Sequence, residues 1–347
     1  MIDDTTSGAE LSSADNAPTT HIETSATEFM SSPEPGIPSR PERTQLPSSE
    51  PKREKLVKNV RDALAALPFY FRSTTAIEGL EAGDLFSLNT VLGGTIEVQT
   101  VTTLNRIREV WDPDDEWSEY GFERSSQTFP DVRLVSRSAD KPSPVLGIEL
   151  KGWYLLSKEG EPSFRYTASR KACSEFDLLV VVPWRLSNVL AGVPVVYEPF
   201  VEQAMYAADL RNYYWENLRG ASGDTGITSP AGATPYPSPK VRTADKANSD
   251  GGSNFGRVAR VPDLMDSYCD EMLKTPVAGI RAKHWVSFFK TYSDNANTDQ
   301  VDAAIQRALA RVSNKLDDAR SDEIGAVLHR LQELISGNPP AAASPPD

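Results

Sequence analysis

Histidine and cysteine are scarce in this chain, three and two among 347 residues, and each scarcity removes a class of chemistry. His21 lies in a polar N-terminal region, so any Ser-His-Asp triad or imidazole metal site would have to draw on His284 or His329 alone. Cys173 and Cys269 are too few and too far apart for a disulfide framework or a cysteine-rich zinc site, and are expected to be buried reduced thiols. The dipeptide Gly-Lys never occurs, which excludes the phosphate-cradling loop of nucleotide motors. No apolar run reaches the ~18 residues of a membrane span. The start Met-Ile-Asp-Asp lacks the basic and then apolar order of a secretory signal, so a cytoplasmic location is expected.

What remains is an acidic chain, net charge −13, with 39% hydrophobic and 24% charged residues, enough apolar material for a sizeable core. The charge is uneven. Residues 1–51 carry nine acids against Arg40 and Arg43, seven prolines, sixteen Ser or Thr and a single aromatic, Phe29. Such a segment cannot bury enough apolar surface to offset its ordering entropy, and is expected to be a disordered acidic tail. Residues 338–347, rich in Pro and Ala, read as a second tail.

Between the tails the hydrophobic period changes. Leu56, Val57, Val60, Leu64 and Leu67 recur at helical spacing and predict a helix over 52–67 ended by Pro68. Gly93-Gly94 reads as a turn, and Ile96, Val98, Val101, Leu104, Ile107 and Val110 predict a second helix over about 95–111, its Thr- and Val-rich start also compatible with a strand. From 117 to 184 the period becomes two. Strands are expected at 117–124, 131–137, 144–156, 163–167 and 177–183, with a hairpin turn at Lys158-Glu159-Gly160-Glu161. The uninterrupted run Leu178-Leu179-Val180-Val181-Val182 belongs in the middle of a sheet covered on both faces. A long helix is expected over 198–218, a Gly/Ser/Pro-rich loop over 219–256, and helices over 262–274, 279–292, 298–315 and 321–336. The fold class is therefore α/β: a core over 52–218, the loop, and a helical region over 257–337.

In the strand near 149, side-chain alternation puts Glu149 and Lys151 on one face and Leu146, Ile148 and Leu150 on the other. Pro130-Asp131 opens the preceding strand, and a hairpin between the two strands would bring Asp131 to Glu149. Two carboxylates at a strand end make a hard oxygen site for Mg²⁺ or Mn²⁺, and an adjacent ammonium can orient a metal-bound water. By base rates, a Glu/Lys pair on a sheet is more often a solvated surface pair.

These residues resemble the PD-(D/E)XK nucleases, the superfamily that contains most type II restriction endonucleases. The resemblance spans about 97–184 and rests on Pro130-Asp131 followed by Glu149-Leu150-Lys151, in a helix, three-strand, helix, strand order. The other acid-x-Lys triplet, Glu50-Pro51-Lys52, lies in the tail. The resemblance implies a restriction-endonuclease-like core, Asp131 and Glu149 as metal ligands, Lys151 as the group that positions the attacking water, and a helix glutamate, here Glu97 with Glu109 behind it, as a further ligand. It implies an Mg²⁺-dependent endodeoxyribonuclease acting on double-stranded DNA. A homodimer is expected for double-strand cutting, and a companion DNA methyltransferase for a restriction system. A structure-specific repair nuclease and a non-catalytic DNA-binding or scaffold protein are the alternatives.

Expected DNA contacts are Arg165, Arg170 and Lys171, which follow the Glu149 strand, and Lys240, Arg242, Lys246, Arg257 and Arg260, which outnumber Asp245 and Asp250 by three in an otherwise acidic chain. Phe255 reads either as a wedge between bases or as a buried loop anchor.

Overall fold

The computed structural model describes residues 38–79, 88–125, 128–138, 143–220, 223–250 and 252–293. They form a mixed α/β fold whose main sheet has six strands. These are β1 (Tyr120–Arg124), β2 (Val132–Ser136), β3 (Leu146–Tyr154), β4 (Leu178–Asn188), β5 (Ala191–Val196) and β6 (Phe200–Gln203). β1, β2 and β3 form an antiparallel meander, β3 and β4 are parallel, and β5 and β6 both pair antiparallel with β4 at different points along its length. Residues 178–182, at most 1% exposed, make β4 the spine, as their unbroken apolar run predicts.

The helical elements cover the sheet. α1 (Pro51–Ala65) buries Leu56, Val57, Val60 and Leu64, as its period predicts. Pro68 does not end it: α2 (Leu67–Tyr70) restarts at once, with Pro68 in its first turn, where a missing N–H breaks no bond. α3 (Leu88–Arg106) begins earlier than expected and runs through Gly93-Gly94, which are helical and not a turn. This stretch packs on β3 at ordinary contact distance, a Cβ on Gly152 lying 3.6 Å from the Gly93 Cα. α4 (Arg108–Trp111) stops before Pro113.

The expected helix over 198–218 is wrong in its first part. Residues Phe200–Gln203 form β6, where pairing against β4 outweighs helix formation. The helix proper is α5 (Ala204–Tyr213), continued by a wider π turn, Tyr214–Leu218.

The predicted strand over 163–167 is also absent. This stretch lies in the crossover from β3 to β4, and its backbone groups bond a later loop: Tyr166 N–H donates to Gly256 O (2.7 Å) and Asp245 N–H to Thr167 O (2.8 Å). The loop is pinned by Arg211 on α5, whose guanidinium holds Asp245 at 2.6 Å and donates to Tyr166 O and Ala168 O, both ionic side chains being 1% exposed. Within this loop β7 (Ile227–Thr228) pairs β8 (Lys246–Ala247). α6 (Asp266–Lys274), the hairpin β9 (Pro276–Val277) and β10 (Ile280–Arg281), and α7 (Ala282–Ser293) follow. The helices expected over 298–315 and 321–336 lie outside the described residues, as do residues 1–37, His21 and His329.

Of the N-terminal segment, residues 40–50 are attached. Arg43 forms a two-pronged bond to the buried Glu202 carboxylate (3.0 and 2.7 Å), Arg40 pairs with Asp263, and Leu46 packs on the core. Cys173 and Cys269 are free and buried, as expected. Among the described residues no helix is long and apolar enough to cross a membrane.

Buried Asp177 organises the approach to β3. It accepts Gly147 N–H (2.8 Å), Ser174 N–H (2.7 Å) and the Tyr236 hydroxyl (2.8 Å), and burial pushes its carboxyl up to about 6. A Cβ on Gly147 would meet Pro130 Cγ at 2.5 Å and Asp177 Oδ1 at 2.7 Å, so glycine is required where β3 passes these residues. Gly147→Ala is expected to lower unfolding free energy by roughly 1–3 kcal/mol, measured by urea denaturation. A wild-type midpoint would show that the Pro130 loop yields freely.

Candidate active site

The site is built where β2 leaves β3. Their pairing runs from Leu134 opposite Leu146 to Val132 opposite Ile148 and then ends, so Asp131 and Glu149, the next residues of each strand, stand at an opening in the ladder. The Leu150 N–H consequently has no strand partner on that side, and Asp131 Oδ2 accepts it at 3.2 Å. The same oxygen lies 2.7 Å from Lys151 Nζ, and Glu149 Oε1 is 2.9 Å from that nitrogen. The spacing Pro130-Asp131…Glu149-Leu150-Lys151 thus becomes two carboxylates sharing one ammonium. All three side chains are largely shielded, with Glu149 the most buried at 12% exposed. They are not a solvated surface pair.

Shielding sets the protonation behaviour. Burial pushes the Glu149 carboxyl up to about 7 against the opposing pull of Lys151, with Asp131 adding a like charge. Burial works against the Lys151 ammonium as well, but the charges of Glu149 and Asp131 and its bonds to both hold its pKa above the ordinary lysine value. Lys151 is therefore a permanent cation at the opening.

Glu97, on α3, faces the same cluster. Burial raises its pKa first and the nearby Asp131 charge second, while Lys151 and Arg124 oppose the rise. Glu109 is exposed on α4 and forms no ion pair among the described residues, so of the two candidate glutamates Glu97 is the one near Asp131 and Lys151.

Arg124 is a site residue that sequence reasoning missed. It ends β1 opposite Val132, one residue from Asp131, and its guanidinium is 3.2 Å from Glu97. The strand register is the signal that identifies it, since a single arginine on an antiparallel edge carries no motif.

The expected DNA-contacting cations divide into two groups. Arg165 is held by Asp250 and donates to Phe255 O, Arg170 is held by Asp209, Arg257 by Glu159 and Arg260 by Glu161. These four already have counter-ions. Lys171, Lys240, Arg242 and Lys246 are exposed. Phe255 is buried edge-on against Trp215, which makes it an anchor and not a free wedge.

Among the described residues no three side chains of His, Cys, Asp or Glu converge as a ready-made metal cage. The donor set nonetheless fits a hard cation of the Mg²⁺ kind, which binds through one or two carboxylates and fills its remaining positions with water and substrate phosphate. The orphan edge at Leu150 and the two oxygen donors on Lys151 supply that open, anionic half-shell. No protein-family model matches the chain, and no curated protein matches it.

A carboxyl whose folded pKa is raised keeps its proton more tightly in the folded than in the unfolded state. The contribution of Glu149 is therefore present below its ordinary value of 4.5 and lost as pH rises to about 7. In metal-free buffer, Glu149→Gln is expected to flatten the decline in thermal stability across that window. An unchanged decline would show that Glu149 ionises as an ordinary surface acid.

Proposed function

We propose that this protein is a metal-dependent DNA endonuclease of the PD-(D/E)XK type, with a restriction-endonuclease-like core, acting in a restriction system. The observation that carries the reading is the placement of Lys151 Nζ within 2.7 and 2.9 Å of Asp131 and Glu149 at the open edge of β3. Part of the surrounding order supports it, α3 carrying Glu97, the meander β1 to β3 and then parallel β4, whereas the helix expected between β3 and β4 is replaced by a three-residue turn at Arg170–Ala172. Such an arrangement places acids and a cation together at a strand end, where a phosphodiester can approach from outside the sheet.

In this reading Asp131 and Glu149 hold Mg²⁺ or Mn²⁺. When bound, the ion supplies Lewis-acid stabilisation of charge on a non-bridging phosphate oxygen. Lys151 remains protonated, so it acts by donating hydrogen bonds to the attacking water and balancing negative charge rather than by removing a proton. In-line attack of that water at phosphorus would form the new P–O bond and break the bond to the 3′-oxygen, the water's proton passing to bulk solvent and the leaving oxygen taking one from it. Glu97 holds Arg124 over the opening, where its guanidinium meets the phosphate. The chain's acidity opposes DNA approach only in part, because seven of the thirteen net negative charges are in residues 1–51. Cutting both strands calls for two such sites, supplied by a homodimer of double-stranded DNA-bound subunits. A DNA methyltransferase encoded nearby would mark the restriction setting, in contrast to repair.

Supercoiled plasmid is the direct substrate for a test. Wild-type protein is expected to produce discrete fragments with Mg²⁺ or Mn²⁺ and none with EDTA. Asp131→Ala and Lys151→Ala should each lower the rate by at least about 100-fold, and Arg124→Ala by about tenfold. Equal cutting by wild type and the first two variants, or none by wild type on modified or unmodified DNA, would overturn the assignment.

A further inference from the structure

A second feature lies away from the Asp131–Glu149–Lys151 cluster. Arg211, Trp215 and Arg219, from the helix that carries the π turn, face Gly256, Arg257 and Arg260 across a cavity of about 190 Å³. The π turn shapes one wall: Arg219 N–H bonds Tyr214 O, five residues back, which turns Trp215 and Arg219 toward the loop. Tyr166 stands between the two regions, its ring centroid 6.4 Å from that of Phe129, the residue before Pro130-Asp131, and 5.7 Å from the Arg211 guanidinium.

The charges do not cancel. Asp245 neutralises Arg211 inside the wall, while Glu159 and Glu161, in the segment after β3, hold Arg257 and Arg260. Arg219 has no ion pair among the described residues, and its guanidinium carbon lies flat against Trp215, 3.6 Å from the ring centroid. Two buried donors also lack acceptors: the indole N–H of Trp215, a residue 3% exposed, and the Nε–H of Arg257. Both belong to residues that line the cavity, beside the unpartnered Asp245 Oδ1, and each can take an acceptor from a ligand there. A merely structural cluster, serving to fasten residues 254–261 to the segment after β3, would need only the pairs with Glu159 and Glu161.

We propose that this cavity binds a nucleotide unit through its phosphate. The unpaired Arg219 and the free Nε–H of Arg257, whose Nη1 is held by Glu159, match a multi-acceptor anion such as phosphate. The Arg219–Trp215 stack offers a flat cationic surface on which a base can lie. A free nucleotide and a nucleotide within a DNA strand present the same chemistry, and the test below separates them.

Calorimetric titration of the full chain in EDTA, where metal-dependent cutting cannot occur, keeps this site's failure distinct from failure of the nuclease reading. Thymidine 5′-monophosphate is expected to bind, inorganic phosphate to bind more weakly, and thymidine not to bind. Arg219→Ala should weaken monophosphate binding by about tenfold or more, and Trp215→Phe should weaken it while leaving the melting temperature near wild type. Asp131→Ala should bind as wild type does. A hexathymidylate bound better with a 5′-phosphate than without one would identify a strand end as the source. Equal binding of the two would identify an internal phosphate, and binding of the monophosphate alone a free nucleotide. The proposal is overturned if wild type takes up no monophosphate, if Arg219→Ala binds as tightly as wild type, or if Asp131→Ala loses as much affinity as Arg219→Ala.

Discussion

Two carboxylates and one backbone N–H compete for few partners at the point where β2 parts from β3, and the Lys151 ammonium resolves that competition. Asp131 takes the orphan Leu150 N–H and half of the ammonium, while Glu149 takes the other half. Without the cation, two like charges would face each other in a largely dry opening, at a cost that grows as the local dielectric falls. The strand ladder must therefore end here, Gly147 must be small enough for Pro130 to approach, and Asp177 must hold the strand from below. Sheet geometry and site chemistry are one constraint.

The legible parts of the site were those fixed by local periodicity. Alternation along one strand placed Glu149 and Lys151 together, and the eighteen-residue separation of Asp131 from Glu149 matched a short antiparallel connection. The apolar run of β4 announced a strand buried on both faces. What failed depended on partners distant in the chain. Residues 163–167 have strand-like composition, but their hydrogen bonds go to the loop ending at Gly256, and no local pattern reveals that. The four residues of β6 were absorbed into a helix because alternation over so short a stretch is a weak signal beside a strong helical segment. Arg124 gained its significance only from register.

Buried ion pairs recur away from the opening. Arg211 with Asp245 and Arg43 with Glu202 each remove an ionic group from water and supply it with several directional bonds. Such pairs add little net stability compared with apolar packing, while losing one partner is expensive. Their effect is to permit one arrangement of the loop and of residues 40–50 and to penalise others. A long, polar, Gly-rich segment with few apolar anchors needs that kind of selection.

The irregular crossover between β3 and β4 bears on how the chain acquires its structure. Parallel neighbours are usually joined by a helix that satisfies its own hydrogen bonds as it forms. Here the connecting segment relies on acceptors supplied far downstream: Arg165 reaches Phe255 O across ninety positions, and Tyr166 reaches Gly256 O. During synthesis the central strands can emerge long before the segment that completes their connection, leaving an unfinished sheet with open backbone edges. Contacts of such long sequence separation slow closure, because chain entropy is lost before the contacts form. The same loop that walls the arginine cavity is thus the last structural dependency of the sheet, which ties maturation of the core to the arrival of residues that make no strand of it.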